Sequence, residues 1–372
     1  MHRPQIILKP LAILAVSLAA LSGAWAETDP AGDSAHNTNV RAVSPEVAQA
    51  VEALKANDGQ RAAAFLRPVA EQGDPSAQAL LGQLYLDGIG IDKDLFEAGR
   101  WLRSAAANGE PSAAFALAEL TSDKTLTPPG MDPSNADARV QEATRLYLLA
   151  ATNGSLAGQV EIGLRYAQGI GVAQDVLQAS RWFREAASSN SPVAQFNLGA
   201  LHATGALNGG TPDHAAALPW FEKAATSGHP DAQYNLGLTA AQGLGRDVDN
   251  AVAAKWFAAA ADHGMADAQA GLAYLTYQGL GTDKDVARAA ELYAQAAEQG
   301  HLIAQNRLAR LYVMGRGVDA DMAEAWKWHS LATRSGYEDA ELEARFTKFI
   351  TPQQRSDGDA RASKWLESKA GQ

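Results

Sequence analysis

The sequence predicts an all-α fold, a superhelical solenoid in which helix-turn-helix repeats stack along the chain. Three observations support this prediction. A unit of 36 residues recurs along most of the 372-residue chain. Small and aromatic residues return at the same positions within each unit. A turn with two glycines divides most units in half, and an aspartate follows it where a second helix would begin.

Each unit begins at a residue that is glycine in all but one case, and the spacing of these residues defines the repeats. The intervals are 36, 45, 36, 38, 36, 36 and 36 residues, from Gly73 to Gly336. Alanine occupies the twenty-sixth position of every unit once two insertions are allowed for. Seven repeats are predicted, over residues 73–108, 109–153, 154–189, 190–227, 228–263, 264–299 and 300–335.

The predicted helices carry suitable residues at their ends. The G-x-G pair, such as Gly88 and Gly90, ends the first helix because glycine readily adopts the left-handed conformation found there. An aspartate begins the second helix because its carboxylate accepts hydrogen bonds from the first free backbone N–H groups. The recurrent tryptophan of the second helix, such as Trp101, is expected to fill the gap between units. Six units have the aspartate: Asp94, Asp175, Asp213, Asp249, Asp285 and Asp321.

The segments outside the repeats have three different characters. Residues 1–26 show the basic, apolar and A-x-A order of a cleavable secretory signal, with an uncleaved anchor as the alternative. The apolar run is shorter than the ~20 residues that a spanning helix needs, which favours cleavage. Residues 27–44 are polar and aperiodic, which predicts a flexible leader. Residues 45–72 and 336–372 predict capping helices for the two ends of the array.

The first unit follows the pattern A-x-x-x-L-G-x-L-Y-x-x-G-x-G-V, then D, then A-x-x-W-F-x-x-A-A-x-x-G, with residues such as Ala77, Leu81, Tyr85 and Trp101. This pattern resembles the Sel1-like repeat, a variant of the tetratricopeptide repeat, and the resemblance covers about residues 45–369. It implies a right-handed superhelix whose inner wall holds partner proteins or peptides. For exported bacterial members it implies roles in envelope signalling, polysaccharide control or envelope assembly.

Composition excludes several classes of function. The chain has 31 Lys plus Arg against 42 Asp plus Glu, a net charge of −11, and no basic run, so it lacks the surface that nucleic acids require. It has no cysteine, which excludes disulfides, thiol nucleophiles and zinc ribbons. Motifs for serine acyl transfer, zinc proteolysis and nucleotide binding are absent. We therefore predict no enzymatic activity, no catalytic residue, no cofactor and no metal site.

Enzymatic or metal-binding roles are the alternatives. The cysteine-rich branch of the Sel1-like family would imply a β-lactam or peptidoglycan hydrolase, but that branch has a disulfide in each repeat and this chain has no cysteine. Paired aspartates such as Asp92 and Asp94 lack the twelve-residue calcium loop, which favours helix capping. His229, His263 and His301 stand beside the first residue of a unit, where a turn role is favoured over a metal or pH-sensing role.

The predicted contact surface is the inner face of the first helices. Positions five, nine, twelve and sixteen of a unit form its packed face, so positions seven, eleven and fourteen point roughly the opposite way. They are unusually apolar, which is typical of a groove for a hydrophobic or helical peptide. The alternative is that these side chains pack against neighbouring units. The candidate protein-binding residues are Phe115, Val160, Leu164, Phe196, Tyr234, Leu238, Tyr274, Tyr277 and Arg310.

The second repeat replaces its G-x-G turn with residues 121–135, which make the repeat about nine residues longer than the period. This insertion is either a second contact site or a tolerated surface addition. Together the patterns predict a periplasmic adaptor or regulator that binds another envelope protein or peptide, with secretion as the alternative location. It would restrain a membrane sensor or scaffold envelope assembly, without binding nucleic acid or inserting into the membrane after signal cleavage.

Overall fold

The computed structural model describes residues 44–370, which form 18 α-helices and no strand. The predicted signal, residues 1–26, and most of the predicted leader, residues 27–43, lie outside the described residues, whereas Ser44 caps the first helix. No helix of the described chain is long and apolar enough to span a bilayer. The all-helical prediction is confirmed, and the contacts divide the chain into two compact units between Ala194 and Gln195.

In the N-terminal unit each helix packs against the helices that precede and follow it in sequence. This is the contact pattern of a solenoid, in which repeats touch only their neighbours. The helices are α1 (Pro45–Lys55), α2 (Gly59–Glu71), α3 (Pro75–Asp87), α4 (Leu95–Ala107), α5 (Pro111–Ser122), α6 (Ala136–Thr152), α7 (Leu156–Gln168) and α8 (Val176–Ser188).

The C-terminal unit is built in the same way and ends with a helix that packs back on the last repeat. Helix α9 begins just before the division between the units and continues into this one. The helices are α9 (Pro192–Ala203), α10 (His214–Thr226), α11 (Pro230–Gln242), α12 (Asn250–Asp262), α13 (Ala266–Gln278), α14 (Val286–Glu298), α15 (Leu302–Met314), α16 (Met322–Arg334), α17 (Ala340–Phe349) and α18 (Pro352–Ala370). The last of these contacts α16.

The six aspartates that recur at one position of the repeat all cap the second helix of their repeat, as predicted. The Asp94 carboxylate, for example, accepts hydrogen bonds from the backbone N–H groups of Phe96 and Glu97 at 2.9 and 3.1 Å. Each such cap satisfies donors that the helix leaves free and contributes about 1 kcal/mol to stability. The aspartates are therefore explained by helix capping.

The two glycines of each G-x-G turn have different structural roles. Gly279 ends α13 in the left-handed conformation, with φ at 74°. Gly281 lies against the start of α12 in the preceding repeat, where a Cβ would overlap the backbone of Asn250 and Ala251. The second glycine is therefore required because the backbones of adjacent repeats touch at this point.

In three repeats the aromatic residue that fills the repeat is one position later than expected, whereas Trp101 and Trp328 are buried as expected. Phe183, Phe221 and Phe257 are buried and pack on helix backbone, where the first helix has a glycine such as Gly237. The preceding tryptophans of these repeats are only half-buried. Trp220, for example, lies under Lys223, whose Nζ is 4.8 Å from the ring centre. The expectation that the recurrent tryptophan fills the gap is thus wrong for these repeats, because the phenylalanine faces the glycine.

The insertion of the second repeat is folded onto its own helices. The Leu126 backbone N–H donates to the carbonyl of Leu120 at 2.9 Å, and its side chain lies over Gly99, where a Cβ would approach it to 3.0 Å. The Arg139 guanidinium donates to the carbonyl of Pro133. Side-chain packing at one end and a buried arginine at the other therefore fix the path of the insertion.

Candidate protein-binding surface

The nine predicted contact residues do not share one environment. Leu164 and Phe196 are each 5% exposed, whereas Tyr274 is 46% exposed. The other six are half-buried: Phe115, Val160, Tyr234, Leu238, Tyr277 and Arg310. Helical spacing therefore identified one side of each first helix, but it did not distinguish the side chains that reach solvent from those that neighbouring helices cover.

Phe196 lies in the core of the C-terminal unit. Its ring stacks on His229 at a centroid distance of 4.7 Å and lies 5.8 Å from Phe221. Burial lowers the pKa of His229, although nearby Asp231 has the opposite effect. For Phe196, and for the equally buried Leu164, the structure favours the packing alternative over direct contact with a partner.

Two of the half-buried residues make aromatic contacts within their units. Phe115 meets the ring of Tyr147 edge-on at 5.5 Å, and Tyr234 lies 5.8 Å from Phe257. Burial, helped by the charge of Asp267, raises the pKa of Tyr234 to about 12, so its phenol is neutral at physiological pH. Each of these side chains presents only one edge to solvent.

Arg310 is occupied by the C-terminal end of the array. Its guanidinium makes a bidentate pair with Asp339, at 2.8 Å for each hydrogen bond, and also bonds to Glu341 at 3.0 and 3.1 Å. Asp339 in turn caps α17 and accepts a hydrogen bond from Asn306 at 2.7 Å. Arg310 therefore holds α17 against α15 with four of its five N–H donors, which leaves little of the guanidinium for a partner.

Tyr274 and Tyr277 form the part of the predicted face that is most open to solvent. Tyr277 is half-buried and accepts a hydrogen bond from Arg316 at 3.3 Å, so its own O–H remains available as a donor. Both tyrosines lie near buried Tyr293, whose pKa burial raises to about 12, while exposed Arg307 opposes that rise. We call Tyr274, Tyr277 and Arg307 the tyrosine surface.

Sequence reasoning missed a polar cluster in the N-terminal unit, formed by Glu119, Tyr147, Glu161 and Arg165. The Tyr147 hydroxyl donates to the Glu119 carboxylate, and the Arg165 guanidinium lies 4.5 Å over the Tyr147 ring. Burial raises the pKa of Glu161; Glu119 adds to this effect and Arg165 opposes it. The only signal in the sequence was Arg165, which stands at a position where most other repeats have leucine.

Metal chemistry has no site in the part of the chain that the structure describes. Within residues 44–370, no group of three or more His, Asp or Glu side chains is placed to hold an ion. His301 instead caps α15, where its Nδ1 accepts a hydrogen bond from the backbone N–H of Ala304 at 3.1 Å. For this histidine the turn role is the one that the geometry supports.

The repeats also match a known family. The family model of the Sel1 repeat matches six segments that together cover more than half of the chain: residues 75–110, 156–191, 192–229, 230–265, 266–301 and 302–337. The chain belongs to the Sel1 repeat family. The segment left unmatched between the first two corresponds to the second predicted repeat, which has the insertion.

A solved structure of a Sel1 repeat protein shares the architecture. A Sel1 repeat protein from Oxalobacter formigenes is 25% identical, with a TM-score of 0.60, and the match covers 94% of this chain and 97% of that one. A protective antigen of uropathogenic Escherichia coli with an SLR fold is 24% identical over 87% of this chain and 83% of that one, with a TM-score of 0.43. An immunity protein from Pseudomonas aeruginosa is 17% identical over 61% and 84%, with a TM-score of 0.36.

Family membership sets the general function. Sel1 repeats are generally protein-interaction modules, and their fold is generally a non-catalytic scaffold. The helix pairs of this chain have the expected form of such a scaffold, with small residues between helices and polar caps at helix ends. Within the predicted face, the tyrosine surface is the region where a Sel1 scaffold of this sequence offers exposed aromatic area.

Proposed function

We propose that the protein is a non-enzymatic adaptor of the bacterial periplasm, which binds another envelope protein or peptide through the tyrosine surface. It would restrain a membrane sensor or scaffold envelope assembly. One observation carries the choice of surface: Tyr274 is the only predicted contact residue that is exposed. Its neighbour Tyr277 is held by Arg316 and is half-buried, which limits the conformations that the surface must give up on binding.

The chemistry of the tyrosine surface suits protein recognition. Tyrosine and arginine are enriched among the residues that dominate binding energies, because each combines a large contact area with directed hydrogen bonds. Tyr274 has a ring that is nearly half exposed, and Arg307 adds an exposed guanidinium on the next repeat. A partner that buries the Tyr274 ring would gain apolar contact and a hydrogen-bond partner in the Tyr277 hydroxyl.

The periplasmic location rests on the first residues of the sequence. Residues 1–26 have the order of a secretory signal, and the chain has no cysteine, which fits an exported bacterial protein better than a disulfide-rich secreted module. The hydrolase alternative gains no support, since the disulfides of the cysteine-rich branch cannot form here. Secretion beyond the envelope is the other possible destination.

Site-directed photo-crosslinking in the bacterium tests this function. A photo-reactive amino acid at position 274 of the full-length protein is compared with the same residue at position 96, since Phe96 is 72% exposed but lies outside the predicted face. We expect an adduct of defined mass from position 274 that position 96 does not give. Mass spectrometry then identifies the crosslinked protein, and fractionation of the cells places the complex in the periplasm.

Binding measured with purified proteins completes the test. We expect Tyr274→Ala to weaken the affinity for the crosslinked partner at least about tenfold, and Phe96→Ala to leave it unchanged. The proposal fails if both positions give the same adducts, or if the Tyr274→Ala variant binds as tightly as the natural protein. Cytoplasmic recovery of the complex would refute the proposed location without touching the binding surface.

A further inference from the structure

The insertion of the second repeat covers a cleft. The cleft has a volume of about 490 Å³ and lies between the insertion and helices α4, α5 and α6. A volume of this size is within the range of sites that hold small organic molecules. Its walls are largely apolar, with contributions from Leu117, Leu126, Pro128, Pro129, Met131 and Leu146.

The walls of the cleft are fixed by specific contacts. Leu126 is seated over Gly99, and a second hydrogen bond of the insertion joins the Met131 N–H to the carbonyl of Pro128 at 3.1 Å. The Asp132 carboxylate accepts bonds from the N–H and hydroxyl of Ser134 at 2.9 and 2.8 Å. A ligand would therefore enter a cavity whose shape exists before binding, which reduces the entropy that binding costs.

The charges around the cleft leave one cation without a partner. Arg145 is paired with Glu142 through two hydrogen bonds of 2.7 Å, and the Asp132 carboxylate is hydrogen-bonded by Ser134 but has no cationic partner in the described part of the chain. Arg103 lines the same cleft and is half-buried, yet it has no hydrogen bond or ion pair to any described residue. Burial lowers the pKa of Arg103 and no described acid opposes this shift, so the partly buried guanidinium keeps its donors available for an anion.

We propose that this cleft binds a small carboxylate with an apolar body, with the carboxylate on the Arg103 guanidinium and the body against the insertion. A planar carboxylate matches the fork of guanidinium donors and gives Arg103 the ion-pair partner that it lacks. The apolar walls then hold the remainder of the molecule. The net charge of −11 repels a polyanion more strongly than a monoanion, so a small monoanion is the fitting occupant. This site is independent of the tyrosine surface.

Calorimetric titration with three probes of equal chain length tests the proposal: decanoate, decanol and decylamine. The full-length mature protein should bind decanoate saturably and more tightly than decanol, while decylamine should bind least. We expect Arg103→Gln to weaken decanoate binding at least about tenfold and to leave decanol binding unchanged, because only the charged hydrogen bonds are lost.

Two further variants separate the site from general stickiness. Arg145→Gln is the matched control, since its guanidinium lines the same cleft but is already neutralised by Glu142, and decanoate affinity should change less than about threefold. Ala138→Phe fills the cleft from α6 without touching Arg103 and should abolish binding of both decanoate and decanol. Circular dichroism confirms that each variant is folded.

Three outcomes would overturn the proposal. The cleft is not a ligand site if the natural protein binds none of the three probes saturably. It does not recognise carboxylates through Arg103 if the two arginine variants lose decanoate affinity equally. Decanoate binds outside the cleft if the Ala138→Phe variant binds it as tightly as the natural protein does.

Discussion

The repeats at residues 109–153 and 264–299 place side chains at the same register positions and use them in opposite ways. In the first, Glu119 and Tyr147 join Glu161 of the following repeat, and Arg165 closes over them. In the second, the equivalent positions hold Tyr274, Tyr293 and Arg307, and the first of these stays exposed. Position in the repeat decides which side chains meet, whereas their chemistry decides whether they are covered by one another or remain exposed to solvent.

The same two repeats also differ in how they connect their helices. The regular repeat uses a G-x-G turn, whose second glycine rests directly on the backbone of the preceding repeat. The inserted repeat has no such glycine and instead fixes its connection with Leu126 and the buried Arg139. The connection that side chains anchor borders the cleft, whereas the regular connection brings two backbones into contact.

The largest expected effect tests the close contact of the regular turn. Gly281→Ala should destabilise the protein by about 3 kcal/mol, because it combines a left-handed backbone conformation with overlap of a Cβ and the backbone of α12. Gly300→Ala is the matched control, since its φ of +86° is also left-handed but nothing lies within 4 Å of the added Cβ. That control should cost only about 1–2 kcal/mol. Urea unfolding measures both, and equal losses would show that the contact between repeats is not tight.

A smaller effect is expected when the tyrosines at the equivalent position of the two repeats, Tyr147 and Tyr293, are compared. Tyr147→Phe removes the hydroxyl that donates to the Glu119 carboxylate, and should cost about 1.5 kcal/mol because a half-buried charge loses its donor. Tyr293→Phe removes a hydroxyl that has no hydrogen bond within the described residues, and should change stability by less than about 0.5 kcal/mol. Thermal melts of the two variants check the difference, and a larger loss from Tyr293→Phe would reverse the comparison.

The sequence was sufficient for the helical array because its signals are local. Each signal acts within a few residues: a left-handed glycine, an aspartate cap or a small residue at a helix crossing. Because these signals recur in most repeats, they can be recognised in the sequence, as at Gly88 and Asp94. The state of the predicted face was not local. Phe196 is covered by His229, the residue before α11, and Arg310 is covered by Asp339, beyond the last predicted repeat. Both partners lie outside the helix whose spacing predicted the face.

The cleft beside Arg103 likewise could not be predicted from local patterns in the sequence. The insertion was visible as extra length, and both a contact role and simple tolerance were compatible with that length. The structure adds that Gly99 leaves room for Leu126, so the insertion folds onto the neighbouring helices instead of extending into solvent. A glycine at that position has a meaning only when the residue that fills its space is known.

The smallest expected effect concerns the polar cluster and its pH dependence. Burial and Glu119 raise the pKa of Glu161, so the folded state disfavours the ionised carboxylate more than the unfolded state does. Stability from this group is fully present below the usual glutamate pKa of about 4.3 and is lost as pH rises through the higher folded value. Glu161→Gln cannot ionise and should therefore be more stable than the natural protein at neutral pH, with the difference shrinking as the pH is lowered to about 4. Urea unfolding of both proteins across this range measures the difference. A difference of opposite sign, or one that does not vary with pH, would show that the charge of Arg165 fully compensates the charge of Glu161 within the buried cluster.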